Sequence, residues 1–247
     1  KRGLKVLYES FNPGDTDLPQ LTRLVDINGD GHYELLLARF ATLQLIGLGV
    51  GDSEYIQEWE YALNAAPPAA LVIDLDEDGE NEVIVGTRDG RLHSLSVDRT
   101  IRWLNAPGEE IAFLARARTA PGEPPRVALV RRKRALDGGS SGAGPSWLEL
   151  RAATGERLWT TVVDAEVTAL VVDERGASGT AAIVLGTDDG QVLAYDFDGG
   201  LLWQAELAER DGGVRFLVFS DAPGGQPGRL LVGRQETITS ITPGDAG

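Results

Sequence analysis

Short apolar runs, some continuous and some alternating with polar residues, are cut along this chain by Asp-Gly and Gly-Gly pairs, the pattern of strands joined by tight hairpins. The clearest stretch, AALVIDLDEDGENEVIVGTRDGRLHSLSVDRTIRW, ends at Trp103. A second, TALVVDERGASGTAAIVLGTDDGQVLAYDFDGGLLW, ends at Trp203. Each holds four strand-like runs, A to D, and four antiparallel strands per repeat make a propeller blade. Weaker copies keep the register, with second strands at Leu35–Ala38, Val127–Val130 and Arg229–Val232 and aromatic fourth strands at Trp59 and Trp159. The ends of the second strands fall at 38, 86, 131, 186 and 233, at intervals of 48, 45, 55 and 47 residues, close to the ~40–50 of a propeller blade. The pattern therefore predicts an all-β fold, a five-bladed β-propeller of four-stranded antiparallel blades in one domain over 1–247. The blades cover approximately 16–64, 65–108, 109–164, 165–210, and 211–247 together with 1–15. The last blade has no fourth strand of its own. Residues 3–9 resemble the Gly200–Glu206 phrase, so the N-terminal strand is expected to complete that blade and close the ring.

Two of the repeats enter their second strand through an acidic loop of one design. Asp26-Ile-Asn28-Gly-Asp30-Gly31-His32-Tyr-Glu34 precedes LLLAR, and Asp74-Leu-Asp76-Glu-Asp78-Gly79-Glu80-Asn-Glu82 precedes VIVGT. Oxygen-bearing side chains at positions 1, 3 and 5, glycine at 6 for the sharp bend and a carboxylate at 9 that can reach back offer the all-oxygen shell that Ca²⁺ prefers. An EF-hand would need its bidentate Glu at position 12 and flanking helices, whereas these loops run into strands. The competing reading is a solvated Asp/Gly turn without metal. The corresponding loop of the fourth repeat, Asp173 to Thr180, lacks the acids at positions 3 and 5. The fifth repeat offers only Ser220-Asp221-Ala-Pro, so neither is expected to bind metal.

The loop-plus-strand pattern D-x-[DN]-x-D-G-x-x-E-[LV]-[LIV]-[LIV] resembles the FG-GAP/VCBS blades of integrin-α-like propellers. The phrase G-T-x-D-G-x-[LV]-x-[AS]-[LY] followed by a tryptophan resembles the tryptophan-docking blades of PQQ-like (quinoprotein-like) propellers. The likeness covers blades 1, 2 and 4, roughly half the chain. It implies two structural calcium sites, one from Asp26, Asn28, Asp30, the His32 carbonyl and Glu34, the other from Asp74, Asp76, Asp78, the Glu80 carbonyl and Glu82. Glu stands at position 9 where Asp is commoner in that family. The quinoprotein likeness speaks to blade packing and not to redox chemistry, because no cofactor acid or cysteine pair accompanies it.

The formal charge of −15 argues against nucleic acid as a partner, since phosphate backbones are bound chiefly through Lys and Arg. The chain has no cysteine, which rules out a disulfide framework, a thiolate metal site and a cysteine nucleophile. Its apolar runs, such as that from Leu43 to Val50, are far short of the ~20 residues of a membrane helix. Opening at Lys1 without a targeting segment, the chain reads as a processed or trimmed product.

The recurrent tryptophans Trp59, Trp103, Trp159 and Trp203 are expected to pack between blades. Trp147 either starts the third strand of blade 3 or is exposed for a partner. The run Arg131-Arg132-Lys133-Arg134 is the chain's only basic cluster. With the Gly/Ser-rich stretch that follows, it is expected to occupy an overlong connection on the face opposite the ions and to bind a partner; the alternative is a solvated insertion. His32 and His93 have no local metal-ligand or catalytic pattern, and no nucleophile elbow, P-loop or H-E-x-x-H is present. These features together point to a non-catalytic, calcium-stabilised recognition or scaffold module for a protein or glycan, extracellular, at the cell surface or periplasmic. The alternatives are a polysaccharide-active lyase or hydrolase with its site in the central funnel, and a sensor or assembly domain of a longer membrane-anchored protein.

Overall fold

A computed structural model describes residues 21–47, 56–118, 123–133, 144–174, 181–207, 212–220 and 229–241. Every regular element among them is a strand. Four sheets hold four antiparallel strands each: β1–β4 (Leu21–Val25, Glu34–Arg39, Thr42–Gly47, Ile56–Ala62), β5–β8 (Ala69–Ile73, Glu82–Gly86, Leu92–Leu95, Ile101–Asn105), β9–β12 (Glu110–Ala117, Arg126–Arg132, Ser146–Arg151, Arg157–Val163) and β13–β16 (Val167–Asp173, Ala182–Thr187, Gln191–Tyr195, Leu201–Glu206). A fifth holds β17–β19 (Phe216–Ser220, Arg229–Gly233, Ile238–Ile241). Neighbours in sequence are neighbours in each sheet, as short hairpins require. The expected fourth strand of the last blade, residues 3–9, lies outside the described residues.

The first strands of successive sheets pack against one another, β1 on β5, β5 on β9, β9 on β13 and β13 on β17. In the second, third and fourth sheets the second and third strands are buried on both faces, as in β6, β7 and β14, which is why they read as continuous apolar runs. The fourth strands β8, β12 and β16 bury only alternate residues. First strands inside and fourth strands outside give a radial stack of sheets, the β-propeller-like arrangement.

Glycine and tryptophan set the seams between sheets. A Cβ on Gly86 would lie 2.3 Å from Ile111 Cγ2, and one on Gly186 would lie 2.3 Å from Val214 Cγ1. The end of a second strand must therefore be bare where the next sheet's first strand crosses it. The Trp103 indole N–H donates to the Ala153 carbonyl at 2.9 Å, and that of Trp159 donates to the Phe197 carbonyl at 2.9 Å. Each ring lies over a left-handed glycine of the next blade, Gly155 (φ +80) and Gly199 (φ +90). The expected inter-blade packing holds at both.

Candidate metal centre

The two acidic loops are the β1–β2 and β5–β6 hairpin turns, and they share one backbone. Position 6 is left-handed in both, at Gly31 (φ 86) and Gly79 (φ 93), and so is position 4, at Gly29 (φ 71) and Glu77 (φ 61). Position 1 caps the bend: Gly31 N–H donates to Asp26 Oδ2 at 2.9 Å and Gly79 N–H to Asp74 Oδ2 at 3.0 Å. The buried position 9 turns back on the loop. Glu34 Oε2 accepts the Ile27 N–H at 2.9 Å, and Glu82 Oε2 accepts the Leu75 N–H at 2.8 Å.

This wiring leaves the same oxygen unsatisfied twice. Asp26 Oδ1 and Asp74 Oδ1 are both shielded from solvent and accept no hydrogen bond. A buried carboxylate oxygen without a donor costs free energy that a cation would recover. Around Asp74, the carboxylates of Asp74, Asp76 and Asp78 bring ligand atoms within 4.8 Å of one another, the one such grouping found among the described residues. In the first loop Asn28 replaces the central carboxylate. Its amide donates to Asp30 Oδ2 at 3.0 Å, while its oxygen accepts the Asp30 N–H at 3.1 Å. Asp30 is held below the usual carboxylate range, chiefly by the His32 N–H at 2.7 Å. His32 itself is exposed, with Nδ1 3.2 Å from Asp30 Oδ1. The donor set, all oxygen and mostly anionic, fits a hard divalent ion.

Two residues that sequence reasoning missed complete the site. Arg102 of β8 hydrogen-bonds Asp76 Oδ2 through one guanidinium nitrogen and Glu82 Oε1 through another, and its Nη1 lies 3.9 Å from Asp78 Oδ2. Burial pushes the Glu82 carboxyl above its usual range, while the Leu75 N–H and Arg102 pull it back. Arg102, Asp76, Glu82 and Trp103 line a cleft of about 310 Å³ that reaches Ala153 and Thr154 of the next blade. Asn81, at position 8 of the second loop, donates to the Ile27 carbonyl at 3.1 Å and the Asp26 carbonyl at 3.3 Å, so the second loop braces the first. Neither contact is readable from local spacing, because the partners are 20 to 55 residues apart.

The basic cluster is placed differently from the expectation. Arg131 and Arg132 are strand residues of β10, not loop residues, and Arg134 lies outside the described residues; Lys133 follows the strand directly. Arg131 is 7% exposed and Arg151 is 5% exposed, and between them sits Glu149, fully buried. Arg131 Nε donates to Glu149 Oε1 at 2.7 Å, and Arg151 Nη2 donates to Glu149 Oε2 at 2.7 Å. Arg131 also pairs with Glu109 and stacks 5.3 Å from the Trp147 ring centroid, which places Trp147 in packing at the start of β11. Arg132 is held by Glu110 and Glu166, each at 2.9 Å. The correction has a physical reason: in a protein of charge −15, these guanidiniums are drawn onto buried carboxylates of β9, β11 and the adjoining turns. His93 is a strand residue of β7, buried against Tyr61.

The fold and its repeated hairpin loops thus define a β-propeller-like protein. Comparison with solved structures finds the same class. BBS1N in complex with ARL6DN, soaked with mercury, is 14% identical and superposes with a TM-score of 0.56 over 91% of this chain and 77% of that one. BBS1N in the same complex soaked with lead is 16% identical, with a TM-score of 0.52 over 91% and 78%. BamB from Moraxella catarrhalis is 14% identical, with a TM-score of 0.55 over 94% of this chain and 62% of that one. No family model matches the sequence, and neither does any curated protein.

Proposed function

We propose that this protein is a non-catalytic, five-bladed propeller that presents a surface to a protein or glycan partner, with two Ca²⁺ ions pinning its first two hairpins. The observation that carries the calcium half is the loop built twice with the same buried, donorless carboxylate oxygen, Asp26 Oδ1 and Asp74 Oδ1. The first ion would be held by Asp26, Asn28, Asp30, Glu34 and the His32 carbonyl, the second by Asp74, Asp76, Asp78, Glu82 and the Glu80 carbonyl. Each position 9 glutamate spends one oxygen on its own loop; the other would face the ion, and in the second loop that oxygen, Glu82 Oε1, is held by Arg102. Such an ion would neutralise clustered carboxylates and stabilise the hairpin, a structural role. An extracellular, cell-surface or periplasmic setting, where calcium is plentiful, suits it. The partner half is supported by the likeness to a propeller solved with a bound partner, BBS1N with ARL6DN.

Calcium titration by calorimetry, with and without EDTA in thermal melts, tests the reading. A ligand at 100 times its Kd stabilises the folded state by about 2.7 kcal/mol, and in a chain of 247 residues each kcal/mol moves Tm by about 2 °C. EDTA should therefore lower Tm by about 5 °C per occupied site at that concentration. Asp74→Asn keeps an acceptor for the Gly79 N–H while placing an amide at the orphan oxygen, and should abolish the second site's share. Absence of calcium uptake at millimolar concentration sinks the metal assignment. Release of reducing ends from a polysaccharide by the purified protein would overturn the non-catalytic half.

A further inference from the structure

Each complete outer strand carries a β-bulge at one register position, immediately before its tryptophan. The pairing slips between Leu45 and Ile46, Ser94 and Leu95, Leu150 and Arg151, and Ala194 and Tyr195, which leaves Glu58, Arg102, Leu158 and Leu202 as the extra residues. A bulge turns its extra residue out of the alternating pleat and re-aims the side chain. In blades 3 and 4 that residue is an exposed leucine. In blade 2 it is Arg102, whose guanidinium is turned onto Asp76 and Glu82. In blade 1, the other blade with an acidic loop, the sequence has a glutamate at this register position in place of the arginine.

We propose that Arg102 is an internal counter-ion that exchanges with a divalent cation at the blade 2 loop, making that loop a switchable site while the blade 1 loop binds without competition. The inference rests on the calcium reading of both loops. Arg102 engages Glu82 Oε1, the one oxygen of that glutamate not tied to the Leu75 N–H, and one oxygen of Asp76. These are oxygens the ion would require. A guanidinium and a Ca²⁺ cannot share them, because both are cations and the carboxylates cannot satisfy both at contact distance. Calcium must displace the arginine, and its apparent affinity falls by the fraction of molecules in which the site is open. If Arg102 is engaged in about nine molecules out of ten, the penalty is about tenfold. Displacement also frees a positive charge at the mouth of the cleft beside Trp103 and Thr154. Calcium thereby writes a new charge onto the outer face of blade 2.

The test isolates the second loop by carrying Asp26→Asn throughout, which disables the first. Calcium affinity is measured by calorimetry and by Tb³⁺ luminescence sensitised through Trp103, with Arg102 intact, Arg102→Ala and Arg102→Gln. The glutamine variant keeps a hydrogen-bonding side chain without the charge, and so remains informative if alanine impairs folding. Both are expected to bind at least about tenfold tighter than the Arg102 protein. In EDTA both should melt below it, and saturating calcium should close that gap. Unchanged or weaker affinity, or a melting gap that persists in calcium, overturns the exchange and leaves Arg102 a structural residue. If the unmodified protein takes up no calcium at either loop, the calcium reading fails instead.

Discussion

Glu149→Gln is the sharpest perturbation the structure offers, because it removes the single negative charge between two arginines without changing shape. The carboxylate accepts from Arg131 Nε at 2.7 Å, with Arg131 Nη2 also 2.7 Å away, and from Arg151 Nε at 3.1 Å and Nη2 at 2.7 Å. Arg131 would retain Glu109 and the Pro107 carbonyl and Arg151 the Gly155 carbonyl at 2.9 Å, while the glutamine's one remaining oxygen could serve only one of the two guanidiniums and its amide would face the other. Breaking a buried pair by removing one partner costs about 3–5 kcal/mol, a large part of the ~5–15 kcal/mol that stabilises a typical protein. At about 2 °C per kcal/mol for this length, melting should fall by about 6–10 °C. Differential scanning calorimetry with near-ultraviolet circular dichroism would measure it. Glu174→Gln, which breaks the half-exposed pair with Arg116, is the control and should cost under about 1 kcal/mol. A triple replacement of Arg131, Glu149 and Arg151 by Met, Leu and Leu should cost far less than Glu149→Gln, because the only charge that then loses a partner is the part-exposed Glu109. The reasoning is refuted if Glu149→Gln melts within about 2 °C of the parent, or no lower than the Glu174→Gln control.

Gly155→Ala should destabilise more than Gly108→Ala, as equilibrium denaturation can show. Both glycines are left-handed, but a Cβ at 155 would lie 2.7 Å from the Trp103 ring, whereas one at 108 meets nothing within 4 Å. The difference should be the overpacking cost, about 1–3 kcal/mol. Burial holds the His93 imidazole below its ordinary 6.5, with Arg91 adding to the effect and Asp89 opposing it. As pH falls through about 6.5 the unfolded chain takes up a proton that the folded protein refuses. Stability therefore drops by up to about 1.4 kcal/mol per pH unit until the lower folded value is reached, and is flat above. Melts of His93→Phe between pH 7 and pH 5.5 should lose that slope, and an unchanged slope would assign it to other groups.

What could be read from the sequence was whatever is encoded locally. The second and third strands of the second and fourth sheets are buried on both faces, and their hairpins close through Thr87 and Thr187, whose hydroxyls donate to Asp89 and Asp189 two residues on; composition and turn residues suffice for these. The acidic loops were legible because their geometry lies within nine consecutive residues. The role of Arg131 was not. Read as part of a basic run leading into a glycine-rich stretch, it looks like a loop cation, yet its partner Glu149 stands 18 residues away, and only the pairing of β10 with β11 brings them together. Arg102 escaped for a similar reason. The signal that could have found it was positional: it occupies the residue before the tryptophan, where other blades have Leu158 and Leu202.

The Asn81 amide has a dynamic consequence. Its two hydrogen bonds to the Asp26 and Ile27 carbonyls make the first loop's backbone part of the second loop's footing. Local opening in proteins proceeds in contiguous cooperative units, and here the boundary of such a unit does not coincide with the boundary of a blade. The turn of blade 1 cannot swing away without releasing the neighbour's side chain. Fluctuations that would otherwise be private to each hairpin are thus coupled through one amide, and opening of either loop costs the other a contact.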